Sequence, residues 1–183
     1  MMIRKLVIAL SVMMACAVSG AGRADAASAR EIDAGVANTL DSYFYKIRGA
    51  RELANKAVGI LVFPSIVKAG FGIGGEYGEG ALLIGGRTAD YYNSVSASIG
   101  FQLGVQQRSV IILFMTESAL NQFRKTAGWK VGVDGSVAII TVGVGGAIDT
   151  NKITSPVVGF ILDQKGLMYN LTLEGSKISR ISK

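Results

Sequence analysis

Glycine is threaded through the most apolar stretches of this chain with almost no proline beside it, and that combination limits the folds open to it. There are 24 glycines against two prolines, Pro64 and Pro156. Flexible linkers and low-complexity tracts draw on both residues. Glycines set inside an apolar alternation instead mark turns, bulges and close backbone contacts of β structure. Val58 to Phe63 is a short apolar run that closes at Pro64, as a buried strand does, and Ala69 to Ile84 alternates small or apolar residues with glycine. Tyr91 to Leu103 and Ser109 to Met115 read as further strands, the latter rich in β-branched side chains. Beyond them, Lys130 to Val144, Val157 to Asp163, Leu167 to Leu173 and Lys177 to Ile181 alternate in the same way. Asp134-Gly135, Asp149 to Ser155, Gln164-Lys165-Gly166 and Glu174-Gly175 separate them as hairpin signals.

Two segments have helical period. From Arg30 to Lys56, Ile32, Val36, Leu40, Phe44 and Ile47 recur every three or four residues, and Gly49 divides the segment into a longer and a shorter helix. Thr116 is a good N-cap for a helix carrying Leu120 and Phe123 and ending near Gly128, with Glu117 in its first turn. The expected class is therefore α+β: a largely antiparallel curved sheet, sandwich or barrel-like, with an N-terminal helical segment and one inserted helix. Half of the residues are hydrophobic and 17% are charged, enough to bury one core, so residues 30–183 are expected to form a single domain.

The first 26 residues have a different character. Arg4 and Lys5 precede the apolar run Leu6 to Val18, which is too short to span a bilayer as a helix. Two processing routes compete. Ala24-Asp25-Ala26 fits small-x-small signal cleavage, which makes residues 1–26 a signal peptide and releases a protein starting near Ala27. Met13-Met14-Ala15-Cys16 instead resembles a lipobox with Met13 where leucine is usual. Residues 1–15 are then the signal, Cys16 is lipidated, and residues 16–29 form a tether of small residues, the route favoured by sequence. Cys16 is the only cysteine, so no internal disulfide supports the domain. Either route leaves a modest excess of cations, which attracts anionic headgroups without selecting among them.

Catalytic equipment is hard to find. The chain has no histidine, which removes the commonest general base, the Ser-His-Asp arrangement and the commonest metal ligand together. Gly70-Phe71-Gly72-Ile73-Gly74-Gly75 satisfies the spacing of a dinucleotide loop, but no helix follows to hold a pyrophosphate, and a tightly bent hairpin is the better account. Glu76 and Glu79, three apart on an extended strand, point to opposite faces. Asp149-Thr150-Asn151 lacks the carboxylates of a calcium loop. No cofactor, metal or nucleic-acid partner is expected.

Several segments, taken in order, resemble the SYLF domain, also called the yeast actin-binding SYLF module. They are Lys56-Ala57-Val58-Gly59-Ile60 running into Phe63, Lys68 to Gly72, Gly75 to Gly80, Ser98 to Gly104, Val110 to Phe114 with Glu117 to Leu120, Gly132 to Ser136, and Lys165 to Leu167 through Leu173 to Gly175. The likeness runs from about Glu31 to Ile178. The chain departs from the family at Ala89 to Ser94, where a Trp-Ser-x-Pro motif is frequent, and at Thr141 to Gly143, where Gly-Pro is frequent. The resemblance implies a membrane-lipid-binding domain. Eukaryotic relatives bind phosphoinositides, and some bind actin filaments. Bacterial relatives are small exported proteins, for which an anionic phospholipid such as phosphatidylglycerol or cardiolipin is the expected ligand.

The candidate headgroup contacts form two sets. Tyr43, Phe44 and Tyr45 are three consecutive aromatics, at least one of which must face away from the core, and Lys46, Arg48, Arg51 and Lys56 accompany them. The spacing of Arg48, Glu52 and Lys56 equally suits ordinary intrahelical ion pairs. The second set comprises Lys68 and the cluster of Arg124, Lys125 and Lys130 around the single tryptophan, Trp129. Aromatic and cation together at a helix end also fit packing and dipole compensation. The expected function is a non-catalytic lipid-binding module of the bacterial envelope, facing the periplasm or anchored at the outer membrane through Cys16. A transmembrane β-barrel and a structural or adhesive envelope protein are the rivals.

Overall fold

The computed structural model describes residues 27–140, 148, 150, 153–165, 173 and 175–183. Among these stand three helices, α1 (Ala29–Lys46), α2 (Ala50–Lys56) and α3 (Glu117–Lys125). They accompany six strands: β1 (Gly59–Ile84), β2 (Arg87–Phe114), β3 (Trp129–Lys130), β4 (Ala138–Ile140), β5 (Val157–Lys165) and β6 (Lys177–Ile181). The sheet is mostly antiparallel and strongly curled into a half-barrel, with the N-terminal helices ahead of the strands, an α+β fold as expected.

Local chemistry accounts for the helix ends. Ser28 caps α1 with a capping box: its hydroxyl accepts from the Glu31 N–H at 3.3 Å while its own N–H donates to Glu31 Oε2 at 2.7 Å. This order extends to the last residues of the expected tether, since Ser28 and Ala29 belong to the helix and its cap. Gly49 adopts φ 83 and separates α1 from α2. Its position needs glycine twice over, because an added Cβ would also lie 2.9 Å from the Ile148 carbonyl oxygen. At α3, the Thr116 hydroxyl accepts from the Ala119 N–H at 3.3 Å.

A single long hairpin carries the sheet. The 26 residues of β1 and the 28 of β2 pair antiparallel from Gly59↔Phe114 to Ile84↔Arg87, closed by Gly85-Gly86 at φ 58 and 77. Positive φ at both central residues is what a primed hairpin turn requires. The outer edge of β2 is shared: its C-terminal part pairs with β5 over Gln107–Phe114 and its N-terminal part with β6 over Tyr91–Val95. β3 extends the sheet beyond β6, and β4 extends it beyond β5 by the one parallel pairing among the described strands.

Three sequence expectations are corrected here. Pro64 does not end its strand; it sits in the register shift between Phe63 and Ile66, where the missing N–H removes no ladder bond. Gly70 to Gly75 form no hairpin: β1 runs through them with a shift between Phe71 and Ile73, and Tyr91 to Leu103 and Ser109 to Phe114 are likewise parts of one strand, β2, which ends one residue before Met115. Asp134-Gly135 does not join neighbouring strands either. It carries the chain from β3 at one end of the sheet to β4 at the other. The expected strand Leu167 to Leu173, the tail of Lys130 to Val144 beyond Ile140, Asp149 and Asn151 of the loop, the departure at Thr141 to Gly143, and residues 1–26 with Cys16 lie outside the described residues.

Both faces of the central sheet are buried, which is why Val110 to Phe114 reads as an unbroken apolar run rather than an alternation. Leu61, Phe63, Val110, Ile112, Phe114 and Val157 turn inward, where α3 adds Leu120 and Phe123. Val62, Ile111, Leu113, Val158 and Phe160 turn outward beneath Ile32, Val36, Tyr43, Ile47 and Leu53 of the N-terminal segment. Over these residues the outward face is thus covered by helix. No described helix is long and apolar enough to cross a membrane.

The curl brings β1 onto itself. A Cβ on Gly80 would lie 2.1 Å from the Val62 carbonyl oxygen, and one on Gly78 would lie 2.6 Å from that of Ser65. These two glycines let opposite ends of one strand approach within backbone contact.

Candidate functional site

The periodicity of α1 decides the fate of its three aromatics. Ile32, Val36, Thr39 and Tyr43 are spaced four, three and four apart and point into the sheet. Tyr43 is therefore fully buried against Phe160, with ring centroids 5.0 Å apart, which corrects its expected headgroup contact. Its hydroxyl has no hydrogen-bond partner among the described residues, and burial pushes the phenol well above its ordinary range. Phe44, one step round, is half-buried with the Arg51 guanidinium stacked over its ring at 4.3 Å. Tyr45 faces water at 90% exposure, the most exposed large hydrophobic side chain among the described residues.

The cations around Tyr45 differ in what holds them. Lys46 is ion-paired to Asp163 of β5. Lys56 pairs with Glu52 at 2.8 Å and donates to the Thr150 hydroxyl at 3.3 Å, the ordinary intrahelical pairing that its spacing allowed. The same contacts lower Glu52 below the usual carboxylate range, the Lys56 hydrogen bond being the largest cause. Arg48 lies in the break between α1 and α2, so it takes no part in that ladder. Its carbonyl accepts from the Ile148 N–H at 2.9 Å, and its exposed side chain makes no ion pair among the described residues. Tyr45, Lys46, Arg48 and Arg51 thus lie within seven residues of chain at the corner between α1 and α2.

The second set is dispersed. Trp129 is 2% exposed and packs edge-on against Phe123 in the inner core, at 5.5 Å and 80°, which corrects its expected membrane contact. Arg124 reaches back at 3.2 Å to Asp90, a buried carboxylate that Arg180 of β6 also engages. Two guanidiniums compensate that carboxylate and tie α3 and β6 to the start of β2. Lys125 and Lys130 are exposed, while Lys68 is half-buried on β1 opposite Gln106. The structure does not gather these residues into one surface with the Tyr45 corner: Trp129 and Phe123 belong to the inner core, Tyr43 and Ile47 to the outer.

Two features had no separate signal in the sequence. One is a groove of about 820 Å³ where the outer sheet face emerges from beneath the start of α1, with Ile32, Pro64, Val67, Tyr77 and Val95 among its lining. Val67, Tyr77 and Val95 are all more than 40% exposed, an apolar surface hidden in the glycine-rich alternation. The other is a set of contacts at its edge. Glu79 accepts from the Tyr77 hydroxyl at 2.6 Å, from Lys183 Nζ at 2.9 Å and from the Ala27 N–H at 3.1 Å. Burial opposes ionisation of this carboxylate, but the three donors prevail and hold it below the usual range. Glu76 points to the other face, as its spacing from Glu79 predicts, and forms a buried ion pair with Arg108 at 2.8 Å. No group of three or more histidine, cysteine, aspartate or glutamate side chains is placed to hold a metal among the described residues.

Residues 95–183 match the family model of Ysc84, described as Las17-binding protein actin regulator. Over residues 95–183 this match bears out the SYLF resemblance read from the sequence. The match takes in the greater part of β2 together with α3 and strands β3 to β6, so the SYLF stretch includes Arg108, Arg124, Lys125, Trp129 and Lys130. The helices α1 and α2 and strand β1 precede it, and with them the Tyr45 corner and most of the groove. SYLF proteins are a family of binding modules. No curated protein matches the chain.

Proposed function

We propose that this protein is a non-catalytic lipid-binding module of the bacterial cell envelope that meets anionic phospholipid at the α1–α2 corner. The observation that carries the reading is Tyr45, 90% exposed beside an exposed Arg48 that has no ion pair among the described residues. An amphipathic ring close in the chain to a cation without an ion pair suits the headgroup layer, where aromatic side chains gather and each nearby cation contributes on the order of 1 kcal/mol to attraction by an anionic surface. Arg51 adds a second cation, partly committed to the Phe44 ring, and Lys46 a third whose pairing with Asp163 is open to exchange at the surface. The SYLF match supports binding rather than catalysis, and the absence of histidine from the sequence agrees with it. The N-terminal segment reads as an export signal, and on that reading bacterial anionic phospholipids are the expected ligand.

The test is vesicle flotation with Tyr45→Ala and the double variant Arg48→Glu/Arg51→Glu. Loss of binding in both, with unfolding midpoints unchanged, supports the corner. Undiminished binding in the double variant removes it. The description of the matched family as Las17-binding favours a protein partner as the second reading, under which vesicles of any composition would leave the protein unbound.

A further inference from the structure

We infer that the chain is cut between Ala26 and Ala27, and that Glu79 is the receptor for the α-ammonium group so created. In sequence, Ala24-Asp25-Ala26 satisfies the small-x-small rule downstream of the Leu6 to Val18 apolar run. In space, the Ala27 nitrogen lies 3.1 Å from Glu79 Oε2, on a strand 52 residues away in the chain. The fold begins without a spacer, because Ser28 already caps α1.

The surroundings of Ala27 are built to hold it. The Glu79 and Lys183 side chains are each 8% exposed and pair at 2.9 Å, and Lys183 Nζ also donates to the Ala27 carbonyl at 2.8 Å. Both polar groups of the Ala27 backbone are thus engaged by one buried ion pair. Under an endopeptidase, water adds across the Ala26–Ala27 peptide bond: the acyl carbon takes the hydroxyl and leaves as the Ala26 carboxylate, while the nitrogen takes the proton. With an ordinary pKa of about 7.7–8.0, the new α-amine binds a further proton at neutral pH. An N–H donor that was neutral in the uncut chain becomes charge-assisted, and such bonds are roughly twice as strong as neutral ones. Lipidation at Cys16 would instead leave Ala27 an internal amide and its N–H a neutral donor. This inference stands apart from the lipid reading, since either processing route is compatible with lipid binding.

The full chain, exported by a bacterium and recovered from its envelope, should have an intact mass and N-terminal sequence that begin at Ala27. A mature chain beginning at a lipid-modified Cys16, or at any other residue, overturns the cut site. The role of Glu79 is tested separately by urea unfolding of purified chains beginning at Ala27 and, one residue longer, at Ala26. The extra residue should lower the unfolding midpoint of the wild type and leave that of Glu79→Gln unchanged. Equal midpoints for the two wild-type chains overturn the receptor role, and that comparison holds whether or not Glu79→Gln folds.

Discussion

Replacing Arg108 by methionine takes the cation away from Glu76 inside the curl of the half-barrel. Glu76 faces Ser96 across the ladder and Arg108 faces Ile66, so the two side chains meet only because the β1–β2 hairpin bends back on itself. Their side chains are 4% and 3% exposed, with nitrogen and oxygen 2.8 Å apart. Removing one member of a pair buried this deeply leaves an uncompensated charge, at a cost of about 3–5 kcal/mol, against about 0–1 kcal/mol for a solvated surface pair. Domains are stabilised by roughly 5–15 kcal/mol in total, and a urea slope of about 1–3 kcal/mol/M turns such a loss into a midpoint lower by about 2 M. Methionine keeps most of the arginine volume, so a cavity adds little. The double variant Glu76→Leu/Arg108→Met removes both charges and should recover most of the loss, because buried pairs replaced by apolar groups are often nearly neutral. The assay is equilibrium urea unfolding followed by Trp129 fluorescence, a buried probe in the inner core. A single-variant cost below about 1 kcal/mol would refute the claim that the curl encloses this pair.

Three further outcomes follow from the same structure. Tyr43→Phe should raise stability by about 1 kcal/mol in the same assay, since it removes a buried hydroxyl with no hydrogen-bond partner among the described residues. Gly80→Ala should destabilise by at least about 1–3 kcal/mol, because its Cβ would sit 2.1 Å from the Val62 carbonyl oxygen and backbone would have to move. Glu79 has its folded pKa held below the ordinary value of 4.5, so its contribution is complete above that pH and is lost as the pH falls through the lower folded value. Glu79→Gln should therefore flatten the acid limb of the stability curve below about pH 4.5, as measured by thermal unfolding across pH.

The sequence is most informative where a local rule and the tertiary fold agree. Gly49 and Thr116 mark helix ends by backbone and side-chain chemistry that acts within three residues, and the structure places them there. Strand extent is harder to read, because Pro64 and the glycines from Gly70 to Gly75 are ordinarily breakers, whereas here a bulge and a bend absorb them within one long β1. Asp134-Gly135 has the chemistry of a hairpin turn, but it cannot announce that its flanking segments pair with β6 and β5 instead of each other. The candidate surface divides in the same way. Helical period requires that one of Tyr43, Phe44 and Tyr45 face outward but does not by itself choose which. Trp129 looks like an interfacial aromatic until Phe123 is seen packed against it. The Glu76–Arg108 and Glu79–Lys183 pairs join residues 32 and 104 positions apart, beyond the reach of any spacing rule.

Lipid recognition is the central claim, and co-sedimentation of residues 27–183 with vesicles that differ only in anionic phospholipid content tests it most directly. The bound fraction should rise steeply from neutral to anionic vesicles and fall again as added salt screens the Tyr45 corner. Equal binding to neutral and anionic vesicles, or none to either, would contradict the account.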